Sequence, residues 1–540
     1  MRALQHVADT LLDFVENTRL GSGGFRLARL ALFGMIILVA GKFAAARFLR
    51  LSFDDVFFMA TTGMVFMIVF WRWEIGAILV LCTTSFIMYY HVLPTISLYH
   101  FVPEIKILEH LRLQVGQGLI LYLLALFATS LEVRKARERL ATPLAPAMLV
   151  FLLALLTAAI IGVVFKGVHM KSMVETARPY SFYLLFFVIL LCIRSRRELG
   201  IFLTAAYVMA LIVAVLMGVQ FALGERAKIF IGGGIRVHSF GTYAGRILPP
   251  GVELIWLCVP FVIARIPLVS GRAQKWLVLS LGLLLGGLLL TFTRTVWMAV
   301  LLSMGVMAIL GRGAIRRSVL RMFLAMGGFV VVILLLLTLL STERENYVAP
   351  YIARFSSIFE LESYEEGTTA YARWDEIKEA WPHIVQNPWF GVGIGGTYRF
   401  REAWDDYGKQ HYLQAVSYIH NAYVLLLTHA GAVGFTACMA VYLIFFVRAR
   451  KILRVVRSET DRALIMAGIG AVASVMLASM MQPSMWYPPA VALVGTIFGL
   501  VELLRYFHQE ETRKREIEDA VAQARRHRLQ RARPSSRLVT

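Results

Sequence analysis

Two arginine side chains stand at positions in this sequence where they could hold an anion. Arg294 lies in a tight turn between two apolar runs, and Arg236 lies in a glycine-rich loop. An arginine at mid-bilayer costs about 2.5–3.5 kcal/mol, so Arg294 indicates an anionic partner or a side chain that reaches the lipid head groups. The planar guanidinium can bind two phosphate oxygens at once, which favours a phosphate site. Arg236 is also compatible with a solvated loop.

His420 could move a proton. His420 and Asn421 directly precede a long apolar run, and His238 follows Arg236 in its loop. An imidazole titrates near neutral pH and can take a proton from an attacking hydroxyl. Asn421 could orient the ring or bind a sugar hydroxyl. A single histidine at a membrane interface also occurs without a catalytic role, and His429 is expected to pack inside the bundle.

The composition indicates the fold class. Of 540 residues, 58% are hydrophobic and 16% are charged, and the mean hydropathy is +0.68. Soluble domains average about 45–50% apolar and about 25% charged residues. Since apolar runs of bilayer-spanning length recur along the chain, we predict an all-α polytopic membrane protein with about 12–14 transmembrane helices. Much of the net charge of +21 lies in short loops and in the tail, so it predicts membrane orientation and no nucleic-acid partner.

The apolar runs divide the chain into five regions. We predict a cytoplasmic N-terminal segment at 1–27, about eleven transmembrane helices at 28–340, a large polar loop at 341–420, about three more helices at 421–506 and a basic tail at 507–540. Basic clusters in the short loops fall on one side, which places both termini in the cytoplasm and the large loop outside. The tail is expected either to lie on anionic membrane lipids or to be solvated.

The large loop is expected to contain an amphipathic helix from Tyr371. Trp374, Ile377 and Trp381 share one face of this helix, which would seat the loop on the membrane or on the core. Pro382 is expected to end or kink the helix. The glycines at 391–396 follow no strand of a βαβ unit, so they predict no dinucleotide site. No metal-binding motif is present, and we predict neither a metal nor a cofactor.

The loop and its flanking segments resemble the O-antigen ligase and polymerase family of bacterial inner-membrane glycosyltransferases. The similarity is carried by short motifs whose order and spacing agree. These motifs are Arg236 to Thr242, Thr293-Arg294-Thr295, Arg373-Trp374 to Trp381, Asn387 to Gly395, His420-Asn421-Ala422-Tyr423 and Gly431 to Gly434.

The resemblance implies a GT-C-like helical fold and a metal-independent, inverting glycosyltransferase. The enzyme would transfer glycan from a polyprenyl-diphosphate donor to a hydroxyl of a lipid-linked or glycan acceptor, on the periplasmic side of the inner membrane. Arg236 and Arg294 would hold the departing diphosphate, and His420 would take the acceptor proton. The residues implied in substrate binding are Arg373, Asn421, His238 and Thr293.

Two alternatives remain open at this point. A polymerase of the same family would use a second carrier-linked glycan as acceptor. A lipid-linked oligosaccharide flippase or other transporter would not transfer glycan at all. A transporter is expected to carry ionisable groups near the bilayer midplane, whereas the charges singled out here flank the large outer loop, which favours an enzyme.

Overall fold

The computed structural model describes residues 64–86, 95–97, 112–130, 135–223, 229, 234–236, 245–249, 251–311, 313–340, 369–404 and 411–532. Within these ranges seven helical segments are long and apolar enough to cross a membrane. The predicted all-α polytopic class is confirmed. The predicted segment 1–27 and the first predicted span lie outside the described residues, so the total of about 12–14 helices stays a prediction.

The described helices are numbered along the chain. Their bounds are α1 Trp73–Phe86, α2 Val115–Ala128, α3 Ala136–Leu140, α4 Leu144–Phe165, α5 Met170–Ala177, α6 Leu185–Cys192, α7 Arg196–Leu223, α8 Val252–Arg265, α9 Gly271–Leu289, α10 Arg294–Leu310, α11 Gly313–Leu340, α12 Thr369–Gln386, α13 Ala422–Val455, α14 Glu459–Ala478 and α15 Pro488–Ala532. Short 3-10 helices cover Arg178–Leu184 and Ile266–Leu268.

Within the described residues, three antiparallel two-stranded ribbons accompany the helices. They pair β1 Thr95–Ser97 with β2 Arg112–Gln114, β3 Gly234–Arg236 with β4 Gly245–Ile247, and β5 Arg399–Trp404 with β6 His411–Val416. The last ribbon lies in the large loop, where the sequence analysis expected a helix and did not predict strands. We call the end of the bundle that carries α12, β5, β6 and the first turn of α13 the loop face.

Small residues let the central helices approach closely. The most apolar stretch of α15 is 94% buried by the rest of the protein. A Cβ atom on Gly499 of α15 would lie 2.8 Å from the Phe186 carbonyl oxygen of α6, and one on Gly470 of α14 would lie 2.8 Å from the Ser303 carbonyl oxygen of α10. Small residues serve this purpose at helix contacts in membranes. The contact between α14 and α10 fixes the start of α10, and therefore Arg294, relative to α14.

The large loop is docked into a break in α13. Gly431 has φ 60° and ψ −165°, so the helical hydrogen-bond pattern stops there. Buried backbone groups need partners, and here the loop supplies them. The three bonds run from Ala432 N–H to the Pro388 carbonyl (2.7 Å), from Val433 N–H to the Trp389 carbonyl (3.1 Å) and from Val392 N–H to the Thr428 carbonyl (2.8 Å).

The glycines at 391–396 form a packing surface between helices. Gly391, Gly393 and Gly395 all have positive φ, at 66°, 92° and 82°. A Cβ atom on Gly393 would lie 2.2 Å from the Cα atom of Gly162 in α4. On the neighbouring turn, Lys166 donates a hydrogen bond to the Asn387 side chain. The motif therefore joins the loop to α4 and α13. Because α12 ends at Gln386, directly before this segment, the same contacts hold α12 in place.

Helix α12 confirms the predicted amphipathic helix, and Pro382 does not end it. The helix continues to Gln386 past Pro382, because the N–H of Asn387 bonds back to the His383 carbonyl and closes the last turn. The tryptophan stripe does not face the core: Trp374 and Trp381 are 55% and 57% exposed. The buried side carries Glu376 and Ala380 instead. The structure also extends α15 as one helix into the basic tail, up to Ala532.

We expect Gly393→Ala to destabilise the fold. The new Cβ atom meets the α4 backbone at 2.2 Å and forces a side chain into a left-handed conformation, and overpacking of this kind costs about 1–3 kcal/mol. Thermal unfolding of the detergent-solubilised protein measures the loss. Gly286→Ala in α9 is the matched control, since a Cβ atom there meets no heavy atom within 4 Å. Equal unfolding temperatures for the two variants would contradict the packing role.

Candidate functional site

His420 is bonded twice to a buried carboxylate on α12. Its ring Nδ1 lies 2.9 Å from Oε1 and 3.0 Å from Oε2 of Glu376. Its backbone N–H donates to Oε2 of the same side chain at 2.9 Å. The carboxylate is on a helix and the histidine is the residue before the cap of α13, so the pair joins the two elements. Glu376 is 7% exposed, whereas the His420 side chain is 39% exposed and therefore accessible.

The neighbours of Glu376 favour its ionised form. Burial alone would raise the pKa of this carboxyl, but the hydrogen bonds from His420 and the charge of Arg399 together lower the pKa below its ordinary value. Arg399 of β5 bonds to Glu379, one turn further along α12, and its Nη2 lies 3.9 Å from Oε1 of Glu376. Strand β5 thus supplies Arg399, whose positive charge stabilises the ionised carboxylate of the partly buried Glu376.

Arg373 of α12 and Arg294 of α10 come from different elements and influence each other electrostatically. Arg373 precedes Glu376 by one helical turn and is half-buried. Burial lowers the pKa of Arg373, and the positive charge of Arg294 lowers it further, while Tyr418 and Glu376 act in the opposite direction. The Nε of Arg373 is buried and bonds to no acceptor among the described residues. The result is a concentration of positive charge beside His420.

The turn before Arg294 is held in a sparsely populated conformation. Phe292 is buried and has φ 48°, in the left-handed region that a bulky residue rarely occupies. Thr293 N–H bonds to the Thr291 hydroxyl at 3.2 Å, and the Thr293 hydroxyl donates to the Thr291 carbonyl at 2.9 Å. Thr293 therefore shapes the turn that carries Arg294. Its predicted contact with substrate stays a prediction.

The Arg236 loop is anchored beside the same turn. Arg236 ends β3 and pairs with Gly245 of β4. Two residues further along β4, Ile247 N–H bonds to the Leu290 carbonyl at the end of α9, at 3.2 Å. This bond brings the backbone of the β3–β4 ribbon next to the Arg294 turn. His238 lies outside the described residues, and the catalytic role of Arg236 stays a prediction.

Asn421 caps α13. Its Oδ1 accepts hydrogen bonds from Tyr423 N–H at 3.0 Å and Val424 N–H at 3.1 Å, and its Nδ2 donates to the Met480 carbonyl at 3.1 Å. The cap was not predicted, although asparagine before an apolar run is a common signal for one. Next to it, Ala422 N–H bonds to the Ser479 carbonyl at 2.9 Å, which ties the start of α13 to the end of α14.

Sequence reasoning missed three contributors to the site. Glu376 and Arg399 were not singled out, and neither was Tyr418, whose ring meets the His420 ring edge-to-face at 5.0 Å. The signal for Glu376 was its place opposite the tryptophan stripe, one turn after Arg373. His429, in contrast, is fully buried as predicted. Within the described part of the chain no group of three or more His, Cys, Asp or Glu residues could hold a metal.

We expect Asn421→Ala to lower stability by about 1 kcal/mol, because α13 loses its cap. Asn421→Asp keeps an oxygen that can accept the same two N–H groups and should retain most of that stability. Thermal unfolding of the two variants measures the difference. If both variants unfold at the same temperature as the wild-type protein, the side chain does not serve as a cap.

The comparisons with known proteins give one family match. The chain matches no curated protein. Residues 279–439 match the family model described as O-antigen ligase, a range that contains Arg294, Arg373, Glu376 and His420 and leaves out Arg236. This part of the chain is therefore similar to the O-antigen ligase family, in agreement with the resemblance that its motifs indicate.

Proposed function

We propose that this protein transfers glycan from a polyprenyl-diphosphate donor to the hydroxyl of a second molecule at the loop face, which is periplasmic in the inner membrane. The family assignment supports O-antigen ligase-like or polymerase-like activity in general. The two activities use the same chemistry and differ in whether the acceptor is a lipid core or another carrier-linked glycan. We favour the ligase-like activity, with the polymerase as the alternative.

The observation that carries the proposal is the positive charge around Arg373. A buried N–H of a guanidinium without an acceptor costs about 1–3 kcal/mol or more, so the Nε of Arg373 needs a partner. Arg294 lies near enough to oppose its charge. A diphosphate supplies several acceptor oxygens and negative charge, and arginines bind such groups with paired hydrogen bonds. Anion binding is therefore the function that these residues fit best.

The proposed reaction is an in-line displacement at the anomeric carbon of the donor sugar. The acceptor oxygen forms a bond to this carbon while its proton passes to Nε2 of His420. The bond between the anomeric carbon and the phosphate oxygen breaks, and the polyprenyl diphosphate leaves with the electron pair. Arg294, Arg373 and Arg236 would stabilise the charge that develops on the leaving oxygen. Attack opposite the leaving group inverts the configuration. We propose that no metal takes part.

An apolar groove near the site offers room for an isoprenoid tail. The groove has a volume of about 490 Å³ and runs along α4 and α5 up to Ile394 of the glycine motif. On its outer side Leu156, Ile160 and Val164 are exposed, which leaves the groove open to surrounding lipid. Its position next to the loop face would let a lipid chain lie between helices while the diphosphate reaches the arginines.

Purified wild-type protein should transfer glycan from a defined lipid-linked donor to a defined acceptor in detergent, with no second compartment present. His420→Ala and Arg294→Ala should lose at least about 100-fold in rate, because they remove a proton acceptor and a charge that stabilises the leaving group. Mass spectrometry of the product measures transfer. The control is His508→Ala, which removes an imidazole far from the site in α15.

Two results of this experiment would contradict the proposal. Absence of covalent transfer by the wild-type protein, together with movement of the donor across a vesicle membrane, would indicate a transporter. Normal transfer by His420→Ala would remove the proposed base. The control His508→Ala is expected to behave as the wild-type protein does in either case.

Ile160→Trp should fill the groove. We expect the KM for a long-chain donor to rise at least about tenfold, since burial of two methylene groups, at about 0.8 kcal/mol each, corresponds to that factor. The KM for a donor with a short isoprenoid chain should stay unchanged. Leu153→Trp is the matched control, because it adds the same side chain at an exposed position of α4 outside the groove. Equal effects on both donors would contradict the assignment of the groove to the tail.

A further inference from the structure

We propose that Glu376 is a positioning residue: it fixes which ring nitrogen of His420 carries the proton, and so keeps the other nitrogen ready to accept one. This inference rests on the proposed function, in which His420 is the base. The sequence analysis did not single out Glu376, and the motifs that carry the family resemblance give it no role.

The hydrogen-bond geometry determines the tautomer. A carboxylate can only accept hydrogen bonds, so the Nδ1 atom 2.9 Å from Oε1 must carry the hydrogen and donate it. In a neutral imidazole the other nitrogen, Nε2, then holds a lone pair and no proton. None of the residues that the structure describes forms a hydrogen bond with Nε2. The unprotonated nitrogen is therefore the one left for a substrate hydroxyl.

The charged groups around the pair keep Glu376 in this acceptor-only state. Arg399 faces the carboxylate from β5, and Arg373 lies one turn before Glu376 on α12. Glu379, one turn further along α12, is paired with Arg399. The hydrogen bonds from His420 and the charge of Arg399 lower the pKa of Glu376 despite its burial. The carboxylate stays ionised at neutral pH.

The second bond from His420 restricts the ring as well. Because Glu376 Oε2 accepts the backbone N–H of His420, the carboxylate cannot turn away without losing that bond. The edge-to-face contact with Tyr418 limits rotation of the imidazole from the other side. When His420 takes a proton, the carboxylate also stabilises the imidazolium that forms. One buried side chain thus sets the orientation, the tautomer and the charge balance of the base.

Glu376→Gln tests the tautomer because it changes little else. The amide oxygen can accept the backbone N–H of His420, which leaves the amide NH₂ next to Nδ1. That group donates a hydrogen bond, so Nδ1 becomes the acceptor and the proton moves to Nε2. The ring keeps its place but loses the lone pair that faces the substrate. We expect kcat to fall at least about 100-fold, with the donor KM changed less than threefold.

Chemical labelling supplies a readout that does not depend on activity. Diethyl pyrocarbonate acylates an imidazole through an unprotonated nitrogen, so His420 in the wild-type protein should be labelled at Nε2. The rate of this labelling, followed by peptide mass spectrometry, should fall at least about tenfold in Glu376→Gln, because Nδ1 is shielded and Nε2 carries the proton. The control is Glu379→Gln, which removes a neighbouring carboxylate of α12 that bonds to Arg399. It should label as the wild type does.

Several outcomes separate this inference from the proposed function. Wild-type kcat and labelling in Glu376→Gln, with an inactive His420→Ala, would overturn the positioning role and leave the proposed base intact. Activity of His420→Ala would overturn both. If Glu376→Gln unfolds, Glu376→Asp tests the inference instead, because it keeps a group that can only accept hydrogen bonds. Labelling of His420 at the wild-type rate in the folded aspartate variant supports the inference. Labelling slowed tenfold overturns it.

Discussion

The site depends on the docking of residues 388–392 into the break in α13. Gly431 interrupts the helix, and the backbone groups freed by the break bond to loop atoms rather than to their own helix. An exposed break in a bilayer would leave these groups without partners, and each would cost several kcal/mol. The helix and the loop therefore stabilise each other. Since α12 runs directly into this loop, the docking also determines where Arg373 and Glu376 stand relative to His420.

Helix α12 places opposite charges at a fixed separation. Arg373 and Glu376 are three residues apart and share a face, as side chains at this spacing do on any helix. Glu376 bonds to His420, whereas the Nε of Arg373 is unbonded among the described residues. The helix thus carries a paired carboxylate one turn after an arginine that no described acid binds. In the proposed reaction, Glu376 and His420 would serve proton transfer and Arg373 would face the departing diphosphate.

The arginines at the opposite end of the bundle show a different pattern. Arg196 bonds to both carboxylate oxygens of Asp461, at 2.8 and 2.9 Å, and Glu502 lies between Arg448 and Arg505. Each of these cations is paired with an acid, and the pairs join α7, α13, α14 and α15. Their role is in assembly and orientation, as expected for basic residues in short loops. The contrast separates structural arginines from Arg373, which has no such acid of its own within the described residues.

The sequence by itself determined the membrane class and the amphipathic helix in the loop, and it singled out Arg294, Arg373 and His420 as candidates for the site. These follow from composition, from the 3.6-residue period and from polar residues placed beside apolar runs, which are all local properties. Tertiary structure alone decided that Glu376 pairs with His420, that Asn421 bonds to the Met480 carbonyl and that the glycine motif packs against α4. Each of these is a contact between segments distant in sequence. The break in α13 is stabilised by its bonds to loop residues 388–392, and local propensity does not encode such a distant partner.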